Sequence, residues 1–172
     1  MKKRLLIFLI SSLMSVSQLM AQNSNTDCSC CSEVYNHFDF WIGNWNVYDK
    51  TDKLVGTNSI IKNYDNCLLQ EAWISVGKNR GTSNNFYDRT DNTWNQIWVD
   101  NSGSILKLKG GLIGKVMVLK SKLIESEKGL YYNQISWTQN NDESVTQLWE
   151  LYNEKNELIT EIFLGIYKKK LN

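Results

Sequence analysis

The sequence predicts an all-β protein, an antiparallel meander closed into a barrel of about 8–10 strands with a short 3-10 turn before the first strand. Three observations carry that expectation. Aromatic and branched residues alternate with polar ones at period two, turn-forming residues punctuate the chain at even intervals, and no segment after residue 21 offers two clean turns of helical periodicity.

The first segment stands apart from the barrel. Lys2, Lys3 and Arg4 precede an apolar run from Leu5 to Met14 broken only by Ser11 and Ser12, and small residues then lead to Ala21. This is the layout of a secretory signal peptide over residues 1–21, with a cut after Ala21 favoured over one after Ser17. The run is short for a spanning helix, which makes an uncleaved anchor the weaker alternative. Removal of residues 1–21 takes the formal net charge of the 172-residue chain from +1 to −2. The only basic run left is Lys168-Lys169-Lys170, which speaks against nucleic acid as a partner. No later apolar run reaches spanning length, so no transmembrane segment is expected after cleavage. The expected location is exported, periplasmic or extracellular.

Residues 22–36 read as a polar leader that carries Cys28, Cys30 and Cys31; the fourth cysteine is Cys67. Export places these thiols in an oxidising compartment, where disulfides form. A bridge from the cluster to Cys67 would pin the leader to the barrel. Cys31–Cys67 is the expected pair, closing a loop of roughly 36 residues, with Cys30 almost as good a partner. A bond between the adjacent Cys30 and Cys31 would strain the backbone. Zinc held by the cluster and His37, the single histidine, is disfavoured because paired ligand cysteines normally stand two to four residues apart. Neither a metal nor a cofactor is expected.

The barrel proper is assigned to residues 37–172. The chain has 0 prolines, where average usage would give roughly eight, so turns rest on Asn, Asp, Gly and Ser. These cluster at 49–53, 77–81, 88–92, 100–103, 126–129, 140–143 and 153–156. Between them lie about ten strands, starting near residues 44, 54, 67, 83, 93, 104, 115, 130, 144 and 157. Trp94, Gln96 and Trp98 share one face of their segment, and Ile135 and Trp137 oppose Gln134, Ser136 and Thr138. Leu106 and Leu108 oppose Lys107 and Lys109, and Val145, Gln147, Trp149 and Leu151 lie together. Short links imply hairpins, and closing the meander into a barrel removes its two edges. A two-sheet sandwich is the lesser alternative.

Before the first strand, residues 37–48 read His-Phe-Asp-Phe-Trp-Ile-Gly-Asn-Trp-Asn-Val-Tyr. Later come Glu71-Ala72-Trp73, Gln96-Ile97-Trp98-Val99-Asp100 and Gln147-Leu148-Trp149-Glu150. Together these resemble an exported bacterial lipocalin-like family of unassigned function, over residues 37 to about 169. The resemblance implies a barrel whose Gly43 and Trp45 are structural, the indole packing across the floor beneath a basic residue of the last strand. Lys168 to Lys170 are the candidates for that cover. It implies no activity.

If the tryptophan-bearing faces point inward, the lumen receives Glu71, Trp73, Gln96, Trp98, Trp137, Gln147 and Trp149, with Tyr87 and Tyr167 as further candidates. Aromatic walls with a few convergent polar groups suit a small hydrophobic or aromatic molecule. A core simply filled by these rings is the alternative. An inward Glu71 would be desolvated and its pKa raised, as a general acid or base requires. A cofactor-free lyase, isomerase or hydratase using Glu71 with Tyr87 nearby is therefore the second functional reading. The third is a structural or interaction role in the cell envelope, for which solvent-facing aromatics on an edge or end would be the sign, with Phe40 and Trp41 the residues to inspect.

Overall fold

The computed structural model describes residues 28–170; the expected signal peptide and its cleavage site lie outside the described residues. Two 3-10 turns, Glu33–Asn36 and Asp39–Trp41, lead into β1 (Gly43–Tyr48). There follow β2 (Leu54–Asn63), β3 (Leu68–Ser75), β4 (Arg80–Asp88), β5 (Thr93–Asp100), β6 (Ile105–Ile113) and β7 (Val116–Lys120). The chain ends with β8 (Ile124–Ser126), β9 (Gly129–Gln139), β10 (Val145–Asn153) and β11 (Leu158–Lys169).

Every strand pairs antiparallel with its neighbour, and β11 returns to β1 with Val47 opposite Tyr167. Ten strands thus close a ring in which no long edge is left open, as the alternation implied. The three-residue β8 is outside that ring. It continues the line of β7 along β9 after an interruption at Ser121, whose hydroxyl accepts the Asn133 N–H at 2.9 Å.

The turns show how a proline-free chain makes tight hairpins. In the Asp49, Asp100 and Asn153 turns the first side chain accepts the N–H groups two and four residues on, at 2.8 to 3.2 Å. The fourth residue of each then takes a left-handed conformation: Asp52, Gly103 and Asn156 have φ of 60°, 83° and 63°. Asp, Asn and Gly are the residues that tolerate both demands. Their carboxyls respond in turn: hydrogen bonds from Thr51 and from Ser102 hold Asp49 and Asp100 below the usual range.

One end of the barrel is plugged. Phe38 and Trp41, from the segment between and within the 3-10 turns, are fully buried with Trp45 and Trp137, and Trp94 is buried beside them. Phe38 stacks on Trp41 at 5.0 Å and meets Trp137 edge-on at 5.1 Å. Lys62 of β2 clamps this plug through Asp39 at 2.7 Å and Asn36 at 2.9 Å. Gly43 carries φ 144°, a region closed to side chains, and the Trp45 indole folds back over its Cα while donating to Trp41 O at 2.9 Å. The Gly-x-Trp segment therefore does structural work.

Two expectations need correction. The bridge to Cys67 is made by Cys30, not Cys31, and Cys31 pairs with Cys28. The reason is local: Cys31 N–H bonds to Cys28 O, closing a turn that sets those two Cα atoms 5.4 Å apart and buries Cys30 against the barrel. Among the described residues no lysine covers Trp45 either; Lys168 stands over the Tyr48 ring at 4.8 Å and pairs with Asp52, while Tyr167 packs edge-on against the indole. Trp41, inspected as a sign of an interaction surface, is buried and Phe40 is partly so.

Candidate functional site

Side chains two apart on a strand share a face and climb the barrel in steps of roughly 7 Å, so the inward residues fall into layers. β3, β5 and β10 are among the strands that run from the plugged end to the other. Each presents the same succession: Leu69, Glu71, Trp73; Trp94, Gln96, Trp98; Val145, Gln147, Trp149. The first members are buried in the plug, the second form a polar level, and the third form an aromatic level with Phe163 of β11. Between polar level and mouth lies a cavity of about 430 Å³.

Its openness has a specific cause. A Cβ on Gly56 would stand 2.5 Å from the Trp73 ring, and one on Gly165 would stand 2.6 Å from the Phe163 ring. A Cβ on Gly81 would overlap the Trp98 ring, with Cε2 at 2.8 Å and two further carbons nearer still. Each ring lies against bare backbone of the wall and so stays out of the lumen. Polar anchors hold two of the indoles, with Trp73 Nε1 donating to Asn79 at 3.2 Å and Trp149 Nε1 to Asn133 at 2.8 Å. Gly81→Ala is expected to push Trp98 into the cavity and to cost about 1–3 kcal/mol by overpacking. Urea unfolding and a crystal structure of the variant check this; unchanged stability with an unmoved indole would contradict it.

The polar level is one connected network. Asn58 Nδ2 donates to Glu71 Oε1 at 2.7 Å, and Ser83 Oγ donates to Glu71 Oε2 at 2.5 Å. Ser83 Oγ itself accepts from Asn85 Nδ2 at 2.9 Å and Gln96 Nε2 at 3.4 Å, which directs its proton to the carboxylate. On the other side Asn58 Nδ2 reaches the Tyr167 hydroxyl at 3.3 Å, and that hydroxyl donates to Gln147 Oε1. Donors thus converge on Glu71 from both flanks. Burial still dominates and raises its pKa above 4.5, the hydrogen bonds from Ser83 and Asn58 opposing it. Burial, helped by the Glu71 charge, keeps the Tyr167 hydroxyl well above 10.0 and neutral. A carboxylate so placed can exchange a proton or pair with a cation.

Of the nine residues expected in the lumen, the structure brings seven together there: Glu71, Trp73, Gln96, Trp98, Gln147, Trp149 and Tyr167. Trp137 and Tyr87 point inward at the wrong level. Trp137 is packed under Phe38 and Trp41, and Tyr87 meets Tyr35 edge-on at 5.4 Å and donates its hydroxyl to Asn92. Tyr87 is therefore no partner for Glu71; Tyr167 stands in that place. The sequence does not single out Asn58, Ser83, Asn85, Gly56 or Gly165, and Gly81 reads there as the end of a turn cluster, whereas it lies in β4. Isolated Asn and Ser on an alternating strand read as solvent-facing, and register is needed to set a glycine beneath a ring.

The chain matches no protein-family model and no curated protein. The closed antiparallel barrel with its 3-10 opening fits a lipocalin-like fold.

Proposed function

We propose that this protein is an exported small-molecule-binding barrel that holds a hydrophobic or aromatic ligand in its tryptophan-lined cavity. The observation that carries the reading is the glycine-backed aromatic wall, which keeps about 430 Å³ clear above a connected polar level. Apolar wall area supplies affinity and a few fixed polar groups supply orientation, as small-molecule sites require. Residues 1–21 act as the signal peptide in this reading, residues 22–36 as the cross-linked leader and residues 37–172 as the binding domain. Two disulfides support passage through an oxidising compartment. Among the described residues no helix is long and apolar enough to cross a membrane.

Trp73, Trp98 and Trp149 line the cavity, so their emission reports on its contents. Titration with a panel of lipids, aromatics and pigments is expected to give a saturable change in fluorescence with at least one of them. A flat response across the panel, with Gly81→Ala indistinguishable from the natural protein, would remove the basis for the reading.

A further inference from the structure

The cavity lining contains one acid, Glu71, and no lysine, arginine or histidine among the described residues. Glu71 is 5% exposed, and the groups facing it are Asn58 of β2, Ser83 of β4, Gln96 of β5, Gln147 of β10 and Tyr167 of β11. Only Tyr167 can titrate, and its hydroxyl stays neutral. Each carboxylate oxygen accepts one hydrogen bond from the protein and retains a lone pair for another donor. Above it stand three indoles and a phenyl ring, whose faces attract cations. A buried carboxylate with no positive neighbour is costly and is stabilised by a cation that arrives with its own donors. A carboxylate or phosphate ligand would meet repulsion at the same place.

We propose that the cavity takes an organic cation, with a primary ammonium group against Glu71 and an aromatic or alkyl tail between Trp73, Trp98, Trp149 and Phe163. This deepens the binding reading above and rests on it. The spacing suits such a molecule. Glu71 and Trp73 are two residues apart on β3, a step of roughly 7 Å, which a short alkyl linker between ammonium and ring spans. Three N–H donors on the ammonium can serve Glu71 together with a neighbouring amide oxygen such as Gln96 Oε1. Because burial raises the Glu71 pKa above 4.5, affinity for the ammonium is expected to increase as pH rises through that raised value and to weaken below it.

Calorimetric titration with three probes that share one ring tests this: 2-phenylethylammonium, 2-phenylethanol and 3-phenylpropanoate. The ammonium is expected to bind roughly tenfold or more tightly than the alcohol, the ratio one charge-assisted hydrogen bond supplies, and the carboxylate to bind least. Acidification should shrink the advantage of the ammonium while leaving the alcohol unchanged. In Glu71→Gln the ammonium and alcohol affinities should converge on that of the alcohol. The pH series on the natural protein carries the test should that variant fold poorly. Equal binding of ammonium and alcohol by the natural protein would overturn the cation assignment and leave the cavity reading standing. No binding of any of the three, with a flat fluorescence panel, would overturn both.

Discussion

Trp41→Ala is expected to destabilise the barrel by about 3 kcal/mol, the lower end of the range for deleting a buried tryptophan. The side chain is fully buried. It stacks on Phe38 at 5.0 Å, lies 5.4 Å from Trp137 and 6.3 Å from Tyr167, and its backbone carbonyl accepts the Trp45 indole N–H. Deleting it opens a void among rings that are themselves held by two strands and a 3-10 turn, so collapse into the space is limited. One feature works the other way. Trp41 Nε1 is buried with no hydrogen-bond partner among the described residues, and losing an unpaired donor recovers part of its desolvation cost. Urea unfolding followed by circular dichroism measures the difference. Trp98→Ala is the control, because that ring borders an existing cavity and its removal only widens it; a cost below about 2 kcal/mol is expected there. Equal costs for the two variants would show that the plug is not what holds the barrel's closed end.

The contrast between these tryptophans also shows what the sequence can and cannot convey. Period-two alternation assigns a side chain to a face, and it correctly turned Trp73, Trp98, Trp137 and Trp149 inward. It carries no information about height along the barrel axis. Height depends on stagger between strands, which is why Trp137 and Tyr87 were expected beside Glu71 and lie instead toward the plug. The repeated polar-x-Trp triplets at Glu71, Gln96 and Gln147 were the better guide, because strands running the same way stack identical successions into layers. The glycine partners were hidden for a related reason. Gly81 opposes Asp100 in register and sits diagonally beneath Trp98, a relation that appears only once β4 and β5 are paired. β8 escaped notice because three residues are too few to show a period. The cysteine pairing turned on one backbone hydrogen bond between Cys31 and Cys28, which spacing alone does not reveal.

Removing the Cys30–Cys67 bridge by the double substitution Cys30→Ser, Cys67→Ser is expected to cost about 4 kcal/mol by the chain-entropy model. The two residues are 37 apart in sequence, so the bond removes a long loop's freedom from the unfolded chain. The Cys28–Cys31 bridge spans 3 residues, and its removal should cost about 2 kcal/mol or less on the same footing. The folded side of the balance points the same way. Cys67 follows Tyr64, Asp65 and Asn66, three successive residues with φ of 51°, 51° and 72°. Left-handed backbone costs a residue with a Cβ about 1–2 kcal/mol, so this turn needs an external tether. Cys67 N–H to Tyr64 O at 3.0 Å closes the turn, and the disulfide fixes it to the leader that carries the plug. Asn66 Nδ2, 3.3 Å from Cys31 Sγ, joins the short bridge to the same corner. Unfolding of the two double variants under oxidising conditions should therefore rank the long bridge well above the short one. Limited proteolysis of the long-bridge variant should also cut first within residues 28–37, where the leader has lost its anchor. Equal destabilisation by the two variants, or a non-reduced peptide joining Cys67 to Cys31, would refute this assignment of the tether.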